Sequence, residues 1–245
     1  MATNKQFTID NRNSQIYFDI YVYDKKTDNV THRVYDVAQI PGRSGDILIG
    51  GDRFPNVPLV YDCIMCPTSA TLQSRMNLFR NFMSSKKGYF EISDTIHPTE
   101  FYQAYLAQDI DMQVSRDRTM AKFELSLMRK PQRWLVTGKD VITLTSSGTV
   151  TNSTMFPAYP LLRVYGTGTV RLGGNGRSIT INENPGSYID IDCEYMEAYE
   201  GSVNRNSKVT FVNNLQPYIA ANTVLTIYLL DGITKVEVTP RWYNI

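Results

Sequence analysis

The sequence predicts a β-rich protein of two domains, an α+β N-terminal domain at 1–136 and an all-β sandwich or jelly roll at 137–245. Three observations support this fold class. The length, 245 residues, exceeds the roughly 150 residues typical of one domain. A single segment, 68–87, shows a helical period in its apolar residues. From Thr137 onward, short strand patterns recur between turn signals without any helical period.

The N-terminal half begins with a stretch, 15–23, that alternates apolar and polar residues. This alternation predicts a half-buried strand, with Ile16, Phe18, Ile20 and Val22 on one face. A polar turn at 25–29 and a second alternating stretch at 30–37 predict that the two strands form a β-hairpin. A loop rich in glycine and proline follows, with a short strand at 47–49. Loops of this length are usually functional.

The helical segment places apolar residues at spacings of four, three and four, namely Leu72, Met76, Phe79 and Met83, and Phe82 widens this stripe. Thr68 or Ser69 is the predicted N-cap. Lys86 and Lys87 complement the negative end of the helix dipole, and Gly88 suits the left-handed closing position. The sequence therefore predicts one amphipathic helix in this half of the chain.

Further strands follow from alternation and turn residues. Three are predicted at 89–92, 101–112 and 120–128, with a hairpin tip at 115–118. Eight are predicted in the second half, at 141–144, 161–165, 169–172, 178–182, 188–193, 208–211, 223–229 and 235–240. Glycine-containing turns at 173–176 and 231–232 supply the positive φ angles of tight hairpins. Eight strands at this spacing are typical of a sandwich or jelly roll.

Charge and composition exclude several classes of protein. The 25 basic and 24 acidic residues give a net charge of +1, and no basic run is longer than a pair. We therefore expect no sequence-specific binding of nucleic acid. No apolar stretch is long enough to span a bilayer, so we expect a soluble, unexported chain with no membrane insertion. The three cysteines do not make a disulfide framework.

Candidate chemistry is sparse. Cys63 and Cys66 have CxxC spacing but lack two further ligands nearby, so ordinary burial is favoured over a metal or redox site. Three acids alternate along one predicted strand, Asp190, Asp192 and Glu194. A solvated face is favoured there over a calcium site or a glycosidase pair. The two histidines accompany no nucleophile motif. We therefore expect no catalytic residues, no metal and no cofactor.

Aromatic residues are the most informative feature of the composition. The chain has 16 tyrosines and 10 phenylalanines. Tyrosine is enriched at protein interfaces and also stacks on sugars. The composition alone therefore indicates a binding or assembly protein rather than an enzyme.

Four segments resemble one family, the distal tail (Dit) proteins of siphophages that infect Gram-positive bacteria. They are IPGRSGDI at 40–47, RKPQRW at 129–134, FPAYPL at 156–161 leading into VYG at 164–166, and VTPRW at 238–242. Their order and spacing span nearly the whole chain. Within them, the structural and interface candidates are Pro41, Gly42, Arg43, Gly45, Asp46, Lys130, Pro131, Arg133, Trp134, Pro240, Arg241 and Trp242.

The resemblance implies an N-terminal domain that assembles into a homohexameric ring and a galectin-like jelly-roll sandwich that decorates it. Such a ring joins the tail tube to the tail tip or baseplate, serves as the hub of the adsorption apparatus and leaves an open channel for DNA. The implied partners are other copies of the chain, the major tail protein and the tail-associated protein. Tape-measure and receptor-binding proteins are further candidates. The implied location is the distal end of the tail in the virion, after assembly in the host cytoplasm.

The motif residues also have physical interpretations. Arg43 and Asp46 pair within their loop or across a subunit boundary, or else the loop is simply a rigid turn. Lys130 and Pro131 end a strand, because proline donates no hydrogen bond to a sheet. Arg133 stacked on Trp134 would hold the hinge between the domains.

Two other functions remain open. The alternative to a hub is a module of the tail tip that binds cell-wall glycan through the second domain, with Tyr159, Tyr188 or Tyr195 stacking on sugar. A tail-associated glycosidase that uses Asp190 or Asp192 is the third hypothesis.

Overall fold

The computed structural model describes residues 5–173 and 177–245, which form mostly β-sheet, as predicted. The chain divides into two compact units. The first unit ends at Arg133, the second runs from Trp134 to Asn244, and Ile245 is grouped with the first. The hairpin turn predicted at 173–176 lies largely outside the described residues. The other predicted turn is confirmed, since Asp231 and Gly232 have φ angles of 58° and 95°.

The first unit is built on one antiparallel sheet and two helices. The sheet has the strand order β2-β1-β7-β8-β10-β6-β3, and β9 pairs with β10. The elements of the first unit, in chain order, are β1 (Phe7–Ile9), β2 (Arg12–Asn13), α1 (Ser14–Phe18), β3 (Ile20–Lys25), β4 (Tyr35–Ala38), β5 (Ile47–Gly50), β6 (Val57–Met65), α2 (Leu72–Ser84), β7 (Phe90–Asp94), β8 (Glu100–Leu106), β9 (Gln113–Val114) and β10 (Ala121–Arg129). A strand that begins at the boundary, β11 (Arg133–Leu135), follows them.

The predicted helix is confirmed, although α2 is shorter than the segment 68–87 over which the sequence predicted it. It begins after Thr71, whose side-chain oxygen accepts a hydrogen bond from the Ser74 amide, so the predicted caps Thr68 and Ser69 were wrong. All five residues of the predicted stripe are buried. They pack against one face of the sheet, where the Phe79 and Phe123 rings lie 5.6 Å apart. Burying these side chains provides most of the stability of such a helix.

The strand predicted at 15–23 is wrong in its first part. Asn13 accepts hydrogen bonds from the amides of Gln15 and Ile16, at 3.0 and 3.1 Å, and so begins the one-turn helix α1. Asp19 ends that helix in the left-handed conformation, with φ 54°. Ile16 is consequently 75% exposed instead of sharing the buried face. A capping residue outweighs a short alternating pattern here.

The hairpin predicted between 15–23 and 30–37 is also wrong. β3 pairs with β6, whereas β4 pairs with β5. The sequence analysis did not predict β6, because Pro58 indicates a loop. The proline is tolerated because β3 ends opposite Tyr61, so Pro58 has no partner strand on that side.

The second unit contains two antiparallel sheets whose inner faces form one apolar core. Their orders are β12-β22-β14-β17-β18-β19 and β13-β21-β15-β16-β20. The strands of these sheets are β12 (Ile142–Leu144), β13 (Gly148–Asn152), β14 (Leu161–Gly166), β15 (Gly168–Leu172), β16 (Arg177–Ile181), β17 (Ile189–Asp192), β18 (Glu197–Glu200), β19 (Val203–Asn204), β20 (Val209–Phe211), β21 (Thr223–Leu230) and β22 (Ile233–Thr239). A last short strand, β23 (Tyr243–Asn244), pairs with β11. Single-turn 3₁₀ helices lie at Val136–Lys139, Asn206–Lys208 and Val212–Asn214. All eight predicted strands are present, and β13, β18, β19 and β23 were missed.

Candidate assembly interface

The strands β4 and β5 form a separate two-stranded ribbon, which we define as residues 35–50. Val37 lies opposite Leu48, and Asp36 lies opposite Ile49. Within the described chain, no further strand pairs with either member. Both edges of the ribbon are therefore without a partner strand in the described part of a single copy.

The first motif of the family resemblance forms the tip of this ribbon. Pro41, Gly42, Arg43, Gly45 and Asp46 are all exposed in the connection between β4 and β5. Gly42 and Gly45 have φ angles of +82° and +85°, which favour glycine. No ion pair joins Arg43 to Asp46 in this part of the described chain, so the structure does not favour pairing within the loop, one of the three alternatives that the sequence leaves open. Pairing across a subunit boundary stays a prediction.

The ribbon exposes an unusual amount of apolar surface. Val37, Leu48 and Ile49 are 56%, 59% and 55% exposed. The first two lie on one face and the third on the other, as their register requires. An isolated hairpin is at best marginally stable in water, and exposed apolar patches usually mark interaction sites. The ribbon therefore has the properties of a surface that a partner covers.

The base of the ribbon is held in a defined geometry. The Val34 amide donates to the Arg53 carbonyl at 2.9 Å, and the Arg33 guanidinium lies 4.6 Å from the centre of the Phe54 ring while it donates to the Gly51 carbonyl. Gly51 has a φ of +104°, and a Cβ atom there would lie 2.4 Å from the Tyr35 ring. Only glycine fits this position, so Gly51 fixes the backbone conformation at the base of the ribbon.

A buried charged cluster anchors the end of β3, just before the chain enters the ribbon segment. Lys25 Nζ lies 2.9 Å from Asp94 Oδ2, and their side chains are 7% and 1% exposed. Tyr61 donates to the same carboxylate at 2.6 Å. Burial tends to raise the pKa of Asp94, but the hydrogen bonds from Tyr61 and Lys25 outweigh it and lower the pKa below 3.8. Burial and the Asp94 charge raise the pKa of Tyr61 well above 10.0.

The second motif lies at the end of the first unit. β10 ends at Arg129, directly before Lys130 and Pro131, as predicted. Arg129 Nη1 donates to the carbonyls of Lys130 and Pro131, at 3.1 and 3.0 Å, and so fixes the turn. Arg133 Nε donates to Glu100 Oε2 at 2.8 Å. The stacking of Arg133 on Trp134 as a hinge contact stays a prediction.

The remaining motifs meet inside the second unit. The Tyr243 ring stacks on Phe156, with centroids 5.7 Å apart, and lies 6.5 Å from the Trp134 ring. The Leu135 amide donates to the Trp242 carbonyl at 2.8 Å. The first and last segments of this unit, which are more than 100 residues apart in the sequence, thus contact each other. Sequence reasoning identified these motifs but did not predict that they touch.

The predicted solvated face of acidic residues is wrong for two of its three members. Asp190 and Asp192 are 5% and 7% exposed. Arg163 binds Asp190 through two hydrogen bonds of 2.7 and 2.9 Å, and Arg241 binds Asp192 through two of 2.9 and 2.8 Å. These arginines cover the carboxylates, which removes them from water. Glu194, the third acid, is half-buried. No local signal revealed the arginines, which are 27 and 49 residues away.

The three tyrosines proposed to stack on sugar have different surroundings. Arg163 lies 4.1 Å from the centre of the Tyr188 ring, and Tyr159 packs edge-on against Tyr218 at 6.1 Å. Tyr195 is 61% exposed. The structure therefore leaves only Tyr195 of the three largely open to a ligand.

Groups that bind metals are scattered in the described chain. Cys63 and Cys193 are buried and Cys66 is half-buried, and none forms a disulfide. Burial raises the pKa of the Cys63 and Cys193 thiols. Residues 5–173 and 177–245 contain no group of three or more metal-binding side chains. Their helices are also too short or too polar to cross a membrane.

Comparison of the fold with solved structures gives a full-length match. No protein-family profile matches the sequence, and neither does any curated protein. The crystal structure of the Dit protein (gp 19.1) of phage SPP1 matches with a TM-score of 0.72 and 12% identity, over 99% of this chain and 100% of that one.

Two further matches come from the baseplate of phage P2 in its activated conformation, one with Ca and one with Sr. Their TM-scores are 0.59 and 0.58 and their identities 11% and 12%, over 96% of this chain and 98% of theirs. The sequence motifs and the whole-chain likeness agree. The chain therefore has the fold of a distal tail (Dit) protein.

Proposed function

We propose that this chain is a structural virion protein of a phage tail and acts as the hub of its adsorption apparatus. The observation that carries this proposal is the match to SPP1 Dit over essentially the whole of both chains. That protein is described as a paradigm of the hub adsorption apparatus in phages that infect Gram-positive bacteria, and the second match belongs to a baseplate. The protein would be located at the distal end of the tail, after assembly in the host cytoplasm.

In this proposal six copies form a ring through the N-terminal domain, residues 1–136. The exposed apolar ribbon supports the choice of this domain, because a neighbouring copy would cover its open faces. A cyclic ring uses heterologous contacts, in which one patch of each copy meets a different patch of the next. The second domain, residues 137–245, would be a galectin-like sandwich outside the ring contacts.

The ring would join the tail tube to the tail tip, with an open channel through which DNA passes. Its partners would be the major tail protein and the tail-associated protein, with tape-measure and receptor-binding proteins as further candidates. The near-neutral net charge of +1 suits a conduit for DNA better than a DNA-binding protein. In the hub role the chain is a scaffold and not an enzyme.

Immunogold electron microscopy of purified virions tests the proposal. Antibodies against the chain should label the distal tip of the tail, at the junction of tube and tip. Label along the whole tube, label on the capsid, or absence of the chain from purified virions would contradict the hub role.

A further inference from the structure

We infer that opposite charges on two sides of the first unit pair head to tail, so that an acidic groove of one copy receives helix α2 of the next copy. This inference rests on the proposed ring and names the contact that closes it. The observations that carry it are a groove with unpaired carboxylates, a helix segment without acidic residues, and their placement on opposite sides of one sheet.

The groove has a volume of about 440 Å³ and lies beside β3, β6 and β10. Four carboxylates line it, Asp62, Asp109, Asp111 and Glu124, against two lysines, Lys26 and Lys122. Lys26 already binds two of the carboxylates, at 2.8 Å from Asp62 and 2.6 Å from Glu124. The other two, Asp109 and Asp111, are exposed, and within the described chain neither belongs to an ion pair. The groove therefore has uncompensated negative charge.

Helix α2 and the residues directly after it have the opposite character. The stretch 66–88 contains four basic residues and no aspartate or glutamate. Two of the four are paired inside the unit, Arg75 with Asp19 at 2.6 Å and Lys86 with Asp10. The other two, Arg80 and Lys87, are exposed, and no ion pair involves them among the residues that the structure describes. They are free to bind carboxylates of another molecule.

The sheet separates the two charged surfaces. Along β10, Ala121, Phe123 and Leu125 are buried and pack on the helix side. Lys122 and Glu124 alternate with them and therefore point to the other side, where the groove lies. Each copy thus has a negative side and a positive side.

This arrangement favours a ring over a twofold dimer. Because the groove and the helix lie on opposite sides of one sheet, a single twofold interface would contain only one of them, and its like charges would repel. A heterologous contact pairs groove with helix and leaves the same two surfaces free for the next copies. A second copy of the chain is the partner that the charges fit, because the net charge of +1 adds little overall repulsion between copies.

Charge reversal tests the contact. We would make a helix variant, Arg80→Glu with Lys87→Glu, and a groove variant, Asp109→Lys with Asp111→Lys. All four positions are exposed, and circular dichroism verifies folding. A matched control, Asp140→Lys with Glu197→Lys, reverses two exposed acids of the second unit. Sedimentation velocity at about 0.1 M and about 1 M salt measures assembly, since salt screens charge pairs between these limits.

Each variant alone should weaken ring formation at low salt by at least about tenfold, because like charges then meet at every contact. The control should assemble as the wild type does. Mixing is the sharpest measurement: the helix variant has two acidic sides and the groove variant two basic sides. Equal amounts of the two should therefore form an alternating six-membered ring, although neither assembles well by itself.

The outcomes separate this contact from the hub proposal. If the wild type forms rings and both variants do so equally well, the charge contact is refuted while the ring stands. Variants that are weakened but do not assemble together refute the pairing of these two surfaces. A wild-type chain that stays monomeric at every concentration contradicts both the contact and the ring.

Discussion

The guanidinium of Arg241 binds the carboxylate of Asp192 through two hydrogen bonds, from Nη1 to Oδ1 at 2.9 Å and from Nη2 to Oδ2 at 2.8 Å. Arg241 itself has a φ of +60°, in the left-handed region that few residues other than glycine adopt. The ion pair of the Arg241 side chain therefore compensates for the unfavourable conformation of its backbone, and the guanidinium covers the buried carboxylate of Asp192. This pair attaches the C-terminal motif to β17 within the second unit.

Replacing Arg241 with alanine should destabilise the second unit by about 3 kcal/mol, because it leaves the carboxylate of Asp192 buried without its partner. Both tryptophans of the chain, Trp134 and Trp242, belong to this unit, so tryptophan fluorescence during urea unfolding reports on it. The matched control is Lys235→Ala, which removes a more exposed pair and should cost less than about 1 kcal/mol. Equal costs for the two variants would show that the Arg241 pair is not special.

Gly138→Ala should displace the C-terminal segment. A Cβ atom at this position would lie 2.5 Å from the Trp242 amide nitrogen, which is too close for any side chain. We expect a cost of about 1–3 kcal/mol in the same fluorescence measurement, as for other overpacked sites. The neighbouring exposed variant Thr137→Ala should change stability by less than about 0.5 kcal/mol. A Gly138→Ala protein as stable as the wild type would mean that this contact is loose.

The Lys25–Asp94 pair should make the first unit sensitive to acid. The pKa of Asp94 is lower in the folded protein than in the unfolded chain, so its contribution is complete above about pH 4 and is lost as the pH falls through the folded value. Asp94→Asn leaves the Lys25 charge buried and should cost about 3–5 kcal/mol at pH 7.

Urea unfolding followed by circular dichroism, at pH values from 7 down to 2.5, measures this effect. The stability difference between wild type and Asp94→Asn should shrink below about pH 4, because the wild type then loses the same charge. Asp52→Asn, which changes an exposed carboxyl of the same unit, should behave as the wild type throughout. A difference that is constant with pH would contradict the assigned role of Asp94.

The ribbon should matter for assembly and not for folding. Val37→Ser with Leu48→Ser removes the apolar pair on one face, where both side chains are more than half exposed. The unfolding free energy should change by less than about 0.5 kcal/mol, while the fraction of assembled protein falls. The control Val224→Ser changes a side chain of the second unit that is 64% exposed and should leave assembly unchanged. Undiminished assembly of the ribbon variant would exclude the ribbon from the interface.

The sequence predicted the elements whose signals are local. Helix α2 follows from the spacing of Leu72, Met76 and Phe79, and the eight strands of the second half follow from alternation between turn residues. The short α1 was missed because the hydrogen bonds of Asn13 outweigh an alternating pattern of nine residues. β6 was missed because proline usually indicates a loop. Pro58 is tolerated in this strand because the neighbouring strand β3 ends before it reaches Pro58.

What depended on distant contacts could not be predicted. The burial of Asp190 and Asp192 requires Arg163 and Arg241, and nothing near β17 in the sequence indicates either arginine. The ribbon had a signal that was misassigned. The stretch 30–37, which contains the start of β4, was paired with 15–23 because only a short polar turn separates them, whereas a loop rich in glycine and proline separates it from its true partner at 47–49.

The absolute mass of the full-length chain in solution tests the hub proposal most directly. Light scattering over a concentration series, with negative-stain images of the same fractions, should show a species of six copies of 27.9 kDa, about 167 kDa, that appears as a ring with an open centre. A protein that remains at 27.9 kDa at every concentration, without rings in the images, would contradict the self-assembling hub.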